Sequence, residues 1–177
     1  MRFAPCLAAA ALLTACGAVS LGTLTRLSAL SPLTADPADM AVAVDLPEGV
    51  GIRPGSARLT FEVTRGAESV SRVMVLAGAP ETGLSVAPED LAPLAEAQAL
   101  ARDWKAVDPD GTSGILSLTF DPCRDGNLSA EATVSAAIRL EEGGPFLPLL
   151  RAVSVAEVAG LPDPADLPEC AAVPQRP

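Results

Sequence analysis

The chain has 177 residues and a formal net charge of −10, from 22 acidic and 12 basic side chains. This balance excludes nucleic acid as a partner, because contacts to phosphates need clustered Lys and Arg side chains. The sequence contains no histidine, which excludes Ser-His-Asp triads, Cys-His pairs and imidazole metal sites. We therefore expect a protein that is not an enzyme and that holds neither a metal nor another cofactor.

Residues 1–15 have the features of a secretory signal, with a basic start, an apolar run and small residues at the cleavage point. The last of them lead into a cysteine, in the order Leu13-Thr14-Ala15-Cys16. This stretch resembles the lipobox of bacterial lipoproteins. The resemblance implies cleavage before Cys16, a diacylglycerol group on its thiol, and a cell membrane anchor that leaves the domain facing the periplasm.

Two alternatives to this interpretation stay open. The uncharged run between Arg2 and Arg26 is long enough to span a bilayer as an uncleaved helix, which needs about 20 residues. The second alternative is ordinary signal cleavage that leaves Cys16 unmodified. Within the lipoprotein class, Gly17 after the cysteine mildly favours the outer membrane.

The cysteine count points to a disulfide in the exported chain. Cys6 leaves with the signal and Cys16 takes the lipid, so that Cys123 and Cys170 remain. Outside the cytoplasm an even pair predicts a disulfide, and a loop of about 48 residues gives about 4 kcal/mol of chain-entropy stabilisation. A redox or metal pair is the alternative, but the chain has no C-x-x-C spacing.

Residues 16–39 are predicted to be a lipid-anchored tether. Leucine recurs there at every third position, from Leu21 to Leu33, with Ser and Thr between. This spacing drifts around a helix and gives no stable amphipathic face. We expect the leucines of the tether to pack on the domain that follows.

Residues 40–160 have the period-two pattern of β-strands. The clearest strand alternates Leu59, Phe61 and Val63 with polar residues, and an apolar return strand follows a turn at Arg65-Gly66. Strands with one polar face are typical of antiparallel sheets. The pattern predicts a mainly β fold, an antiparallel β-sandwich (Ig-like) of about six strands with one inserted α-helix. The other strands are expected around Val42, Leu116, Val134 and Leu149.

The inserted helix is predicted near residues 88–106. Pro88 and two acidic residues suit its first turn, and basic residues near its end suit the macrodipole. Trp104 lies at the end of its apolar face, where it would dock the helix on a sheet; alternatively it is the aromatic residue of a ligand cleft. The proline-rich tail, residues 161–177, is expected to lack regular structure.

Several other polar stretches have ordinary structural explanations. Residues 108–114 are typical of a turn between a helix and a strand, and residues 121–127 lack the acid spacing of a calcium loop. Lys105, at a helix end, lacks the burial that a Ser-Lys mechanism needs. A catalytic carboxylate pair such as Glu62 and Glu68 has no pattern that supports it.

These features together predict a membrane-anchored envelope lipoprotein with a non-catalytic binding or structural role. Its expected partners are the membrane, through the N-terminal lipid, and another envelope protein. The alternative is a small-ligand-binding accessory subunit of an envelope transport system, which requires an apolar cleft near Trp104.

Overall fold

A computed structural model describes residues 32–170 of the chain. The lipobox and residues 1–15 lie outside the described residues, as does most of the predicted tether. The described chain forms a sheet-rich body with helices α1 (Pro88–Val107) and α2 (Val155–Ala159) and a 3-10 helix at Pro164–Asp166. Its strands are β1 (Ala41–Asp45), β2 (Val50–Ile52), β3 (Arg58–Arg65), β4 (Glu68–Ala79), β5 (Gly83–Val86), β6 (Thr112–Thr119), β7 (Pro122–Arg124), β8 (Thr133–Arg139) and β9 (Leu147–Ser154).

Seven of the strands form one antiparallel sheet in the order β6-β3-β4-β5-β1-β8-β9. The sheet curls into a half-barrel, and β2 pairs with β7 in a separate two-stranded ribbon. Its longest pairing joins β3 to β4 and β6, each through eight consecutive residue pairs. The register of β3 thus determines which side chains lie on each face of this half of the sheet.

The prediction of a mainly β, antiparallel fold with an inserted helix is confirmed. All six predicted strands are present, as β1, β3, β4, β6, β8 and β9. The described chain adds β2, β5 and β7, which have only three or four residues each and are too short for alternation to reveal. The inner face of β3, β4 and β6 is covered by α1, in the place that a second sheet of a sandwich would take.

Helix α1 spans residues close to those predicted, and its buried side forms part of the hydrophobic core. It buries Leu94, Ala97, Ala101 and Trp104 on the side that faces β3, β4 and β6. From β3 the alternating residues Leu59, Phe61 and Val63 meet this side with no more than 2 % of their surface exposed. Apolar area removed from water in this way is the main stabilising contribution to such a fold, at about 25 cal/mol per Å².

The first described residues are fastened to α1. Gln98 is 2 % exposed, and its Nε2 donates to the carbonyls of Pro32 (2.7 Å) and Ala35 (3.0 Å). Arg102 donates to the carbonyl of Leu33 at 2.5 Å. The described end of the predicted tether therefore packs on the domain.

The expectation of a tail without regular structure is wrong for Pro164–Asp166, which form the 3-10 helix, although most of the other residues in the range 161–170 lie outside helices and strands. The Asp163 carboxylate accepts a hydrogen bond from the Ala165 amide at 2.8 Å and begins the 3-10 helix. Leu167 is 3 % exposed within the core. Prolines disfavour helices and central strands, but they permit this short turn followed by an extended segment that pairs with Arg124 of β7.

Candidate functional site

The candidate interaction surface is the outer face of β3, β4 and β6, on the side away from α1. Directly opposed residues of neighbouring strands share a face. Leu59 is opposed to Met74 and Leu118 on the inner side, so that its neighbour Thr60, opposed to Val73 and Ser117, lies on the outer side. We call this surface the outer face, and it consists of Arg58, Thr60, Glu62, Thr64, Ser69, Ser71, Val73, Val75, Ser113, Ile115, Ser117 and Thr119.

Three large apolar side chains are exposed on the outer face. Ile115 is 60 % exposed, Val73 56 % and Val75 38 %, and the other members are mostly serine and threonine. Its charged residues are Arg58 and Glu62. Exposed apolar side chains gathered on one face indicate a protein contact surface better than scattered ones do.

The turn from Asp108 to Gly111 and Lys105 are structural, as their residue types suggested, whereas residues 112–114, which were predicted as part of the turn, belong to β6. The Asp108 carboxylate accepts from the Gly111 amide at 2.9 Å. Lys105 donates to the carbonyls of Pro109 and Thr112, so that the single lysine closes the connection from α1 to β6.

Glu62 and Glu68 do not form a carboxylate pair. Glu62 belongs to the outer face, whereas Glu68 is opposed to Arg65, which falls on the inner side of β3 by alternation. Glu68 accepts from Arg65 at 2.6 Å, and Glu62 lies on the other side of the sheet. These two residues therefore cannot act together as acid and base.

Trp104 lies in the core, with 8 % of its surface exposed. The guanidinium of Arg65 stacks over the indole ring, with 4.9 Å between its central carbon and the ring centroid. The same guanidinium is held by the carboxylate of Glu68. A ligand would have to displace Arg65 and break this ion pair to reach Trp104.

A surface cavity of about 410 Å³ lies elsewhere, between the end of β1 and the turn that joins β4 to β5. Val44, Leu46 and Val50 form its apolar walls, and its charged side chains are Asp45 and Glu81. Two carboxylates disfavour an anionic ligand. No sequence pattern indicated the cavity, because its walls come from segments that meet only through the pairing of β1 with β5.

Cys123 and Cys170 are brought together as predicted, with 1.97 Å between their sulfur atoms. Cys123 is fully buried in β7, and the Cys170 amide donates to the Arg124 carbonyl at 2.9 Å. Gly51, in β2, lies against the disulfide: a Cβ atom there would be 3.0 Å from the Cys170 sulfur. Sequence reasoning missed Gly51, since nothing local marks it. Cys16, the predicted lipid site, lies outside the described residues.

Within residues 32–170, no three cysteine, aspartate or glutamate side chains lie close enough together to hold a metal ion. Over the same residues, no helix is both long and apolar enough to cross a membrane. No protein-family model matches the chain, and no curated protein or solved structure matches it either.

Proposed function

We propose that the protein is a lipid-anchored envelope protein whose domain binds another protein or braces an assembly without catalysis. The observation that carries the proposal is the cysteine pattern. Cys16 completes a lipobox, and the next two cysteines of the chain, Cys123 and Cys170, lie at disulfide bonding distance. Both features fit a chain that leaves the reducing cytoplasm.

The contacts of the first described residues support an anchored arrangement. Gln98 and Arg102 hold residues 32–35 against α1, so the spacer between a lipid on Cys16 and the domain is short. Sixteen residues reach about 55 Å when fully extended. The domain would then stand within that distance of the bilayer, with α1 as its point of attachment.

The outer face supports a binding role. It offers Val73 and Val75 on β4 and Ile115 on β6, and the pairing of both strands with β3, which lies between them, keeps these residues in a fixed arrangement. A partner that covers such a face gains from apolar burial and meets few charges. Another envelope protein with an uncharged contact surface fits this description.

The anchor is tested by the intact mass of the protein purified from its native membrane. We expect residues 1–15 to be missing and the mass of the acyl chains to be added at Cys16. Cys16→Ser abolishes the added mass, while the control Cys6→Ser leaves it unchanged. A chain that retains residues 1–15 with a free thiol at Cys16 refutes the anchor.

The binding role is tested by photo-cross-linking in intact cells. A benzoyl-phenylalanine residue at position 73 is expected to yield a defined set of adducts. The matched control is position 107, because Val107 is 77 % exposed at the end of α1 and away from the outer face. If both positions give the same adducts, or if position 73 gives none, the outer face is not a contact surface.

Ligand binding is the second candidate, and the cavity beside β1 is the observation that favours it. Its apolar walls at Val44, Leu46 and Val50 suit a neutral or cationic hydrophobic molecule. Phosphatidylethanolamine, added as mixed micelles, is a suitable probe. If the cavity binds this lipid, the melting temperature of the protein should rise when the lipid is added, and Val50→Asp should remove the rise. The absence of a rise in the unaltered protein would exclude this lipid as a ligand.

A further inference from the structure

The two edges of the seven-stranded sheet differ in how they are protected. The edge strand β9 contains Pro148 and Arg151, has a positive φ of 47° at Ala152, and shifts register twice against β8. Such features are the ordinary means of preventing pairing at a sheet edge. The other edge strand, β6, has no charged residue and no proline, and it pairs with β3 without any shift.

The backbone groups of β6 that point away from β3 can be identified. The Thr112 amide donates to the Asp108 carbonyl (3.1 Å), and the Thr112 carbonyl accepts from Lys105 (3.0 Å). Thr112 therefore does not exchange hydrogen bonds with Arg65, and the antiparallel alternation assigns the outward groups to every second residue from there. These residues are Gly114, Leu116 and Leu118, and no backbone group among residues 32–170 is bonded to them on that side.

We propose that two copies of the chain pair through β6, antiparallel and about a two-fold axis at Leu116. Leu116 then pairs with its own copy in the partner subunit, and Gly114 pairs with Leu118 in both directions. The three residues with outward backbone groups are placed symmetrically about Leu116. This one register therefore gives hydrogen-bond partners to the amides and carbonyls of all three at once. An isologous contact of this kind closes as a dimer and does not propagate.

The side chains agree with the same register. Leu116 and Leu118 are half-buried on the inner side, and pairing would cover their exposed edges. Gly114 leaves space opposite the larger Leu118, and on the outer side Ile115 would be opposed to Ser117. A shift of one residue would oppose residues of different faces, which the pleat does not allow.

The charges near the ends of β6 favour a second copy as the partner. The turn before the strand contains Asp108 and Asp110, whereas at the far end of the strand Arg58 of β3 is opposed to Thr119. Antiparallel pairing brings the acidic end of each copy to the arginine end of the other, which opposes the general repulsion between chains of net charge −10. At the acidic end Lys105 offsets one of the two carboxylates, and at the other end Arg53 forms an ion pair with Asp121, so that Arg58 supplies the net positive charge there.

The test is sedimentation velocity of the full-length chain in neutral detergent over a wide range of concentrations. We expect a reversible monomer–dimer equilibrium. The double variant Ile115→Lys/Ser117→Lys would oppose lysines directly across the two-fold axis, and like charges in that position are destabilising. We expect it to raise the dissociation constant at least about tenfold.

The chain offers a closely matched control, Ser71→Lys/Val73→Lys. Ser71 and Ile115 are both opposed to Glu62, and Val73 and Ser117 are both opposed to Thr60. The two double variants thus place the same lysines beside the same β3 residues, one pair on edge strand β6 and the other on central strand β4. The control should change the dissociation constant by less than about twofold, and equal melting temperatures at concentrations where both variants are monomers would show that both fold.

Amide hydrogen exchange tests whether β6 is the strand that pairs in the dimer. The amides of Gly114, Leu116 and Leu118 should be protected only at concentrations where the dimer forms. Three results would overturn the proposal: a monomer at every concentration, equal weakening by both double variants, or protection of these amides in the monomer. The last result would mean that another segment of the same chain covers the edge.

Discussion

The amide of Gln98 holds the start of the domain, and its removal has a calculable effect. Gln98→Ala deletes two hydrogen bonds, to the carbonyls of Pro32 and Ala35, from a side chain that is 2 % exposed. Each hydrogen bond contributes about 1 kcal/mol net to stability, so we expect a loss of about 2 kcal/mol. If the segment stayed in place with both carbonyls unpaired and buried, the loss would be larger.

The assay is urea denaturation followed by the fluorescence of Trp104, which lies in the core and responds to its opening. Glu96→Ala is the matched control, because Glu96 is exposed on the same helix and the substitution also improves helix propensity. Gln98→Glu extends the test, since a carboxylate cannot donate to either carbonyl. A free energy of unfolding that falls no further for Gln98→Ala than for Glu96→Ala would show that these two hydrogen bonds do not stabilise the domain.

Three further predictions concern the disulfide and a helix cap. Cys170→Ser should lower the free energy of unfolding by about 4 kcal/mol, from a loop closed at a sequence separation of 47, and reduction should have the same effect on the unaltered protein. Gly51→Ala crowds the Cys170 sulfur and should lower the free energy of unfolding by about 1 kcal/mol. In the Cys170→Ser background this loss should largely disappear. An undiminished loss would mean that the substitution acts through the β2 backbone instead. Ser154→Ala removes the hydroxyl that accepts from the Glu157 amide at 3.1 Å and should cost about 1 kcal/mol, measured by urea denaturation, whereas Ser154→Thr should retain most of the stability.

The residues of β3 that lie on the outer face could be predicted from alternation, but the residues beside them on β4 and β6 could not. The pattern of β3 alone predicts that Thr60 and Glu62 face away from the core. That Val73 and Ile115 join them on one surface depends on the pairing of β3 with β4 and β6. The β4 pairing is local, through a two-residue turn, whereas β6 arrives only after the whole of α1 has crossed the sheet.

The sequence likewise did not predict which strands form the two edges of the sheet. Nothing in Thr112–Thr119 shows that this strand has a partner on one side only, because edge and central strands share the same period. The protected character of β9 can be read from Pro148 and Arg151, but its meaning depends on the position of β9 at the end of the strand order.

The elements with local signals could be predicted from the chain alone. Alternation indicated six strands, Pro88 and the turn after Val107 bounded the long helix, and the cysteine count paired Cys123 with Cys170. Three features became visible only in the folded chain: α1 packs on β3, β4 and β6 of a curled sheet, Gln98 holds the start of the domain, and Gly51 makes room for the disulfide. Those outcomes rest on contacts between residues far apart in the chain, and pattern within a short window carries no information about which distant segments meet.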